Sequence, residues 1–272
     1  MCLIFHVTVI YEVAPDAVAS SNRGRSALKS AGNEVLMIKL LDIILDYVFP
    51  PRCMSCDEVL PIDYLNRLCA DCFDLLERCD NDGSASHFSL YVYNDAVRHA
   101  IHRFKYGSRP GYGEYLGALM AEHAYDVLPR GLTADVVIPV PLHPDKVRER
   151  GFNQAEILAA QLCRRLGLTL ETSALIRVGR TERQAMLSIA DRRKNVENAF
   201  AVRRTDAVCG KTVLLVDDIH TTGSTINACA SVLTEAGARS VFSYSLSNAR
   251  LESDQYYDID SPRLELPCKL TP

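Results

Sequence analysis

The chain has 272 residues, of which 48% are hydrophobic and 24% are charged, and its formal net charge is -4. These proportions are those of an ordinary globular protein with one large or two smaller domains. The slightly negative charge excludes a uniformly basic nucleic-acid binder, so any anion site must come from a local cluster. No apolar run in the sequence approaches the roughly 20 residues that cross a bilayer, and we expect a cytoplasmic protein.

The first 36 residues fit poorly with the rest of the chain. Their apolar start, residues 1–10, lacks the basic region and the cleavage site of a signal peptide, and residues 18–33 are small, polar and without a period. We interpret residues 1–36 as a poorly ordered N-terminal extension that arises from an upstream start codon. An amphipathic helical pattern begins at Met37 and stops before the proline pair at 50–51.

Four cysteines form two pairs with the spacing that is typical of zinc ligands. Cys53 and Cys56 make the first pair, and Cys69 and Cys72 make the second, with a dozen residues between the pairs. Four thiolates complete a tetrahedral structural Zn²⁺ site that leaves no open position for catalysis. We therefore predict a zinc-binding domain over residues 37–80, whose small core depends on the metal for its folding energy. The alternatives are four free core cysteines or, less favoured, a redox pair.

A polar linker at 81–86 precedes a longer region, residues 87–249, that carries strand and helix patterns. The tail, residues 250–272, is acidic and unpatterned, and we expect it to be loosely ordered. The apolar runs predict strands at 89–93, 135–140, 213–216 and 241–246, and the periodic runs predict helices at 96–104, 113–128, 154–166 and 226–236.

The most informative stretch is residues 212–225, in which a strand, a loop and a helix start follow one another. The apolar run ends in Asp217 and Asp218, and a turn of small residues follows. The carboxyl end of a strand is where open α/β sheets bind ligands, and a helix N-terminus attracts anions. The residues of this turn, which offer hydroxyl groups and one flexible backbone position to a phosphate, are Thr221, Thr222, Gly223, Ser224 and Thr225.

The adjacent carboxylates of Asp217 and Asp218 would repel a phosphate, but they suit a sugar diol or a divalent cation beside it. A phosphate, a diol and a metal in a row describe a ribose 5-phosphate. The alternative is a strand-to-helix turn whose Asp and Thr residues only cap the helix. His220 lies inside this stretch, and a lone loop histidine is more often solvated than catalytic.

A second anion site is predicted where the strand at 135–140 ends. A basic loop at 143–150 follows the strand, and Asn153 then serves as the N-cap of a helix. Such a loop suits a pyrophosphate, and the alternative is a solvated charged loop. The candidate pyrophosphate-binding residues are Val140, Pro141, Lys146, Arg148 and Arg150.

The segment from Arg177 to Asn195 is rich in arginine and poorly periodic. Its candidate ligand residues are Arg180, Arg183 and Gln184. A mobile flap that closes over a polyphosphate has this composition, and so has an exposed structural arm. Lys105 and Arg109 either reach the same site or belong to a solvated basic surface.

The stretch 212–225 resembles the phosphoribosyl pyrophosphate (PRPP) motif of type I phosphoribosyltransferases. Between residues 37 and 248 the chain resembles the ComF family, also called the ComFC/GntX type. Several motifs in the same order carry this resemblance: the four cysteines, Phe104-Lys105-Tyr106, Pro139-Val140-Pro141-Leu142, residues 150–154, Arg180-Thr181 with Gln184, Arg192-Arg193 with Asn195, Ala199-Phe200 and residues 216–225.

The resemblance implies a type I phosphoribosyltransferase fold, an α/β domain with a central mostly parallel sheet and helices on both faces, behind a small four-cysteine zinc-binding domain. It implies that PRPP binds with its 5-phosphate on residues 221–225 and its ribose on Asp217 and Asp218. It also implies Mg²⁺-dependent phosphoribosyl transfer with release of pyrophosphate, and a link to DNA uptake in natural competence. Neither the acceptor nor the oligomeric state follows from the sequence.

Two rival functions remain open. In the first, the protein is a non-catalytic nucleotide- or single-stranded-DNA-binding module that acts in transformation through its zinc domain and contacts DNA-uptake proteins. In the second, which is weaker, the cysteines serve redox chemistry or zinc storage. The first rival predicts a DNA affinity that falls with salt and that survives the loss of Asp217 and Asp218.

Overall fold

The computed structural model describes residues 50–61, 66–81, 86–107, 110–178 and 199–249. The described residues belong to two compact units. The smaller unit includes residues 50–53 and 58–61, and the larger includes residues 54–57 and those from 68 onward. The predicted extension at 1–36, the helix that begins at Met37 and the tail at 250–272 lie outside the described residues. No helix within the described ranges is long and apolar enough to cross a membrane.

In the smaller unit the chain doubles back on itself. Arg52 and Val59 form an antiparallel bridge, and the Leu60 N–H donates a hydrogen bond of 2.7 Å to the Pro51 carbonyl. The Cys53 N–H donates to the Glu58 carbonyl at 2.8 Å. These bonds fix the backbone on both sides of the first cysteine pair.

The larger unit contains the α/β region. In chain order its helices and strands are α1 (Ala70–Asp74), β1 (His87–Val92), α2 (Asp95–Tyr106), α3 (Pro110–Glu122), α4 (Ala124–Val127), β2 (Val136–Pro139), α5 (Pro144–Arg150), α6 (Gln154–Leu166), β3 (Leu175–Arg177), β4 (Phe200–Val202), β5 (Thr212–His220), α7 (Ser224–Glu235) and β6 (Ser240–Asn248).

Four strands form a parallel sheet with the order β1-β6-β5-β2. Strands β3 and β4 form a separate antiparallel pair. Parallel neighbours require crossover connections, and α7 supplies the crossover from β5 to β6. Because all four strands of the sheet run in one direction, their carboxyl ends meet at a single edge.

Helices cover both faces of the sheet, as a parallel sheet requires. One face packs against α7 through a cluster of buried side chains that includes Val213, Leu215, Ile226, Cys229 and Leu233. Helices α3 and α6 cover the other face, where Leu158 and Leu162 are fully buried. The buried Tyr244 hydroxyl donates a hydrogen bond of 3.0 Å to the Met120 carbonyl, which ties β6 to α3. The fold is therefore an α/β domain with its core on both sides of β5 and β6.

Helix α6 begins and ends where the sequence predicts. The Asn153 side chain accepts a hydrogen bond from the Ala155 N–H at 3.2 Å, and Gly167 ends the helix in the left-handed region at φ +68. These positions confirm the predicted cap and stop, because glycine adopts a positive φ without strain.

Three sequence predictions were wrong in detail. Strand β5 does not stop before the acidic pair but continues to His220, because it pairs with β6 as far as Asn248. The helix predicted at 113–128 is interrupted at His123 and forms α3 and α4. The basic segment predicted as a loop is helix α5, because Pro144 suits its first turn and the His143 side chain accepts a hydrogen bond from the Asp145 N–H.

Candidate functional site

The candidate site lies at the carboxyl edge of the sheet, where β5 runs into α7. Gly223 is the N-cap of α7 and has φ +74, a conformation that side chains other than glycine rarely adopt. A Cβ at this position would lie 2.8 Å from the His220 Nε2 atom. Glycine is therefore required here both by the backbone angle and by the neighbouring ring.

The start of α7 can bind an anion. A glycine N-cap offers no side-chain oxygen, so the first-turn amides depend on other acceptors. The Ser224 N–H reaches the Thr222 Oγ1 atom only at 3.5 Å, and the hydroxyls of these two residues lie 3.0 Å apart. All five predicted phosphate-binding residues thus belong to one loop and the first turn of a 12-residue helix, whose dipole also favours negative charge.

The two carboxylates lie inside β5, and successive strand residues point to opposite faces of a sheet. Asp218 meets α2, where its Oδ2 atom lies 2.6 Å from the Lys105 Nζ atom. Asp217 accepts a hydrogen bond from the Asp218 N–H at 2.8 Å and interacts electrostatically with Arg177 of β3. Lys105 thus contacts Asp218 directly and acts electrostatically on both carboxylates, and Arg177 acts electrostatically on Asp217.

The pKa values of the two carboxylates are shifted in opposite directions. Burial raises the pKa of Asp217 well above its usual range, and the negative charge of Asp218 raises it further. Burial also acts to raise the pKa of Asp218, but the Lys105 ammonium and the Arg150 guanidinium outweigh it, so the pKa falls. Asp218 is thus the carboxylate that holds a negative charge in the free protein, whereas Asp217 binds a proton more readily.

Arg150 is the residue of the basic segment that turns toward the site. Its guanidinium donates to the Tyr106 hydroxyl at 3.1 Å and to the Gln154 side chain at 3.1 Å, and it lies 5.0 Å from the Tyr106 ring centroid. The exposed Lys146 and Arg148 instead pair with acidic residues of their own helix, Glu149 and Asp145. Arg150 thus acts electrostatically on Asp218, whereas Lys146 and Arg148 lie on the surface of α5.

The backbone after β2 is held close to β5. The Val140 N–H donates to the Val216 carbonyl at 2.9 Å, and the Val140 carbonyl accepts from the Asn153 side chain at 3.1 Å. This arrangement places Pro141 at the same sheet edge as the acidic pair. The predicted flap residues Arg180, Arg183 and Gln184, and also Arg109, lie outside the described residues.

Sequence reasoning left Lys105 undecided and did not single out Tyr106 or Arg177 as residues of the candidate site. The Arg177 guanidinium stacks 5.3 Å from the centroid of Phe200. The sequence did mark Arg177, because this residue begins the arginine-rich segment. Helix and strand periodicity, however, carry no information about contacts between residues that are far apart in the chain. The expectation that His220 is solvated was wrong: it is the last residue of β5, it is buried, and its ring lies 5.3 Å from that of His87.

The four predicted zinc ligands come together. The Sγ atoms of Cys53, Cys56, Cys69 and Cys72 all lie within 4.8 Å of one another, and those of Cys56 and Cys69 are 3.7 Å apart. Tetrahedral Zn²⁺ with Zn–S bonds of about 2.3 Å separates its sulfurs by about 3.8 Å. The donor set and its spacing fit a structural metal ion.

Comparison with known proteins agrees with the fold. Residues 147–264 match the family described as phosphoribosyl transferase domain. Competence protein F of Haemophilus influenzae is 38% identical over 42% of this chain and 51% of its own length. Competence protein ComFC of Streptococcus pneumoniae is 30% identical over 71% of this chain and 86% of its own length. The chain thus spans about half of the first relative and most of the second.

Two further similarities extend this comparison. DNA utilization protein YhgH of Escherichia coli is 34% identical over 52% of this chain and 62% of its own length. Among solved structures, the allosteric regulatory enzyme of purine biosynthesis is 29% identical over 49% of this chain and 25% of that chain. Its TM-score of 0.33 is too low to support an inference.

The parallel sheet, its two helical layers and the matched family define a type I phosphoribosyltransferase fold, with a four-cysteine cluster before it in the sequence. The chain belongs to the ComF family, because its similarity to ComFC extends over 86% of that protein.

Proposed function

We propose that this protein binds PRPP with Mg²⁺ at the carboxyl edge of the sheet and transfers its phosphoribosyl group to an acceptor. One observation carries the proposal. The glycine-capped start of α7, the acidic pair, and the cations Lys105 and Arg150 meet at this edge. These three features correspond to the three parts of PRPP, which are a phosphate, a ribose diol and a pyrophosphate.

The 5-phosphate would bind at the start of α7. The amide groups of the first turn would donate to its oxygens, and the hydroxyls of Thr221, Thr222, Ser224 and Thr225 would add further hydrogen bonds. Gly223 would let the backbone approach the phosphate closely.

The ribose hydroxyls would donate to Asp217 and Asp218, which are also the residues that would hold Mg²⁺. When bound, the metal lowers the charge of the pyrophosphate leaving group. Arg150 and the backbone at Val140 and Pro141 would contact the pyrophosphate, and we propose that Lys146, Arg148 and the flap residues Arg180, Arg183 and Gln184 add to this contact on closure.

In the reaction, the bond between the anomeric carbon of ribose and the pyrophosphate oxygen breaks, and its electron pair leaves with pyrophosphate. A nucleophilic atom of the acceptor forms the new bond to the same carbon. The ribose develops positive charge in the transition state, and the carboxylate of Asp218 would stabilise it electrostatically.

The test is titration calorimetry of PRPP with Mg²⁺. We expect the zinc-loaded protein to bind PRPP and Asp218→Asn to weaken binding by about tenfold or more, because a charge-assisted hydrogen bond contributes about 1.5–3 kcal/mol. Asp217→Asn should also weaken binding, but by less, because burial favours the neutral form of this carboxyl in the free protein. Asp206→Asn is a matched control, since this exposed carboxylate pairs with Arg204. A folded, zinc-loaded protein that binds no PRPP would overturn the proposal.

We further propose a cytoplasmic role in DNA uptake, which rests on the names of the relatives, Competence protein ComFC and DNA utilization protein. In this role residues 37–80 would form a zinc domain, residues 87–249 would form the transferase domain, and single-stranded DNA or DNA-uptake proteins would be partners. The rival to transfer is a DNA-binding module. If it is correct, DNA affinity will be salt-dependent and unchanged in Asp217→Asn and Asp218→Asn.

A further inference from the structure

In the free protein, Lys105 forms an ion pair with the Asp218 carboxylate, which is the group that the ribose would need. The Lys105 Nζ atom lies 2.6 Å from the Asp218 Oδ2 atom, and the two side chains are only 11% and 14% exposed. A distance this short is that of a strong charge-assisted hydrogen bond. The Asp218 carboxylate is therefore already engaged by the Lys105 ammonium group.

The surrounding residues hold Lys105 in place. Phe104, its neighbour in α2, is fully buried and stacks at 5.5 Å on Phe152. Tyr106, on the other side, accepts a hydrogen bond from Arg150. The last turn of α2 is thus fixed at two points, and Lys105 can reach Asp218 without a movement of the helix.

A ligand that binds Asp218 must compete with this ion pair. A ribose hydroxyl or a metal ion that approaches the Asp218 Oδ2 atom must displace the Lys105 ammonium. A displaced ammonium that stays in this largely buried site loses its counter-ion, which is costly unless another anion accepts it. The pyrophosphate of PRPP supplies such an anion beside the ribose, whereas ribose 5-phosphate has only a hydroxyl at the corresponding carbon.

We propose that Lys105 is a specificity latch, which blocks Asp218 in the free protein and transfers to the pyrophosphate of PRPP, so that the site rejects ribose phosphates lacking that group. This inference rests on the proposed PRPP site. Lys105 is here a binding residue with two effects. It competes with the ribose diol for Asp218, and it then binds the pyrophosphate. A lysine with a purely structural role would affect both ligands alike.

The experiment compares the dissociation constants of PRPP and ribose 5-phosphate, both with Mg²⁺, by titration calorimetry of the full chain. In Lys105→Met we expect weaker binding of PRPP and equal or tighter binding of ribose 5-phosphate. The preference for PRPP should fall at least about tenfold, because a charge-assisted contact is lost for one ligand and a competitor is removed for the other. Lys211→Met is the control, because Lys211 precedes β5 at the opposite edge of the sheet.

A second variant covers the case in which Lys105→Met does not fold with Asp218 left unpaired. Lys105→Gln keeps a hydrogen-bond donor for the carboxylate but removes the positive charge, and we expect the same fall in preference. An unchanged preference for PRPP in a folded variant, or an equal loss of affinity for both ligands, would overturn the latch. In either case, PRPP binding by the unmodified protein would leave the proposed function intact. If the unmodified protein binds neither ligand, the latch and the proposed function both fail.

Discussion

The cysteine segment and the parallel sheet differ in how much regular secondary structure they contain. Among the described residues 50–61 and 66–81, regular structure consists of the five-residue helix α1 and isolated bridges, and the chain is organised around four thiols. In contrast, the sheet has four strands with helices on both faces and a large set of fully buried apolar side chains. We expect the first region to depend mainly on metal–ligand bonds, although Met54 and Leu68 are also buried, and the second to depend on apolar burial.

Metal removal should have the largest effect and should be confined to the cysteine segment. Structural Zn²⁺ contributes about 10–16 kcal/mol to small sites of this kind. We expect chelation, or Cys69→Ser, to abolish amide-exchange protection in residues 50–61 and 66–74 while peptides from β5 and α6 stay protected. Residues 77–79 pair with β1 and should behave like the sheet. Cys209→Ser is the control, because Cys209 is exposed and outside the cluster. Retained protection at 50–61 and 66–74 after measured metal loss would contradict the comparison.

A cavity in the sheet core should give the next largest effect. Leu158 of α6 is fully buried, and Leu158→Ala should lower the free energy of unfolding by about 2–5 kcal/mol through lost burial and the cavity left behind. Denaturant unfolding measures this loss, and zinc stoichiometry should stay unchanged. Val178→Ala, at a position that is 58% exposed, should cost much less. If Leu158→Ala also released the metal, the two regions would not be stabilised separately.

Loss of the buried hydrogen bond from β6 to α3 should have the smallest of these effects. Tyr244→Phe keeps the ring but leaves the Met120 carbonyl without its donor, which should cost about 1–3 kcal/mol. Burial raises the pKa of Tyr244 far above its usual range, so the hydroxyl keeps its proton and donates at any ordinary pH. Thermal unfolding at two pH values below 9 should therefore show the same loss, and a loss that changed between them would contradict this account.

Short-range signals were read correctly from the sequence. The cap at Asn153 and the stop at Gly167 are local events that could be recognised without knowledge of the fold. The acidic pair and residues 221–225 are contiguous, so they could be selected as a candidate site in the same way, and their role stays a prediction. The cysteine spacing was equally informative, because two tight pairs can bring four thiols together with little help from the rest of the chain.

Long-range relations could not be read in the same way. The sequence did not distinguish Arg150 from Lys146 and Arg148, since all three belong to one basic segment. Their different contacts follow from the helical geometry of α5 and from Tyr106, which lies far away in the chain. Likewise, strand β5 extends through the acidic pair only because β6 pairs with it.

The sequence by itself determined the family, the order of the motifs and the residue types at the candidate site, because these depend on short stretches of chain. Only the tertiary structure decided which cations meet the carboxylates, since that depends on how α2 and α5 pack at the edge of the sheet. Lys105 and Asp218 are far apart in the chain, and burial makes their contact strong by removing the water that would otherwise screen it.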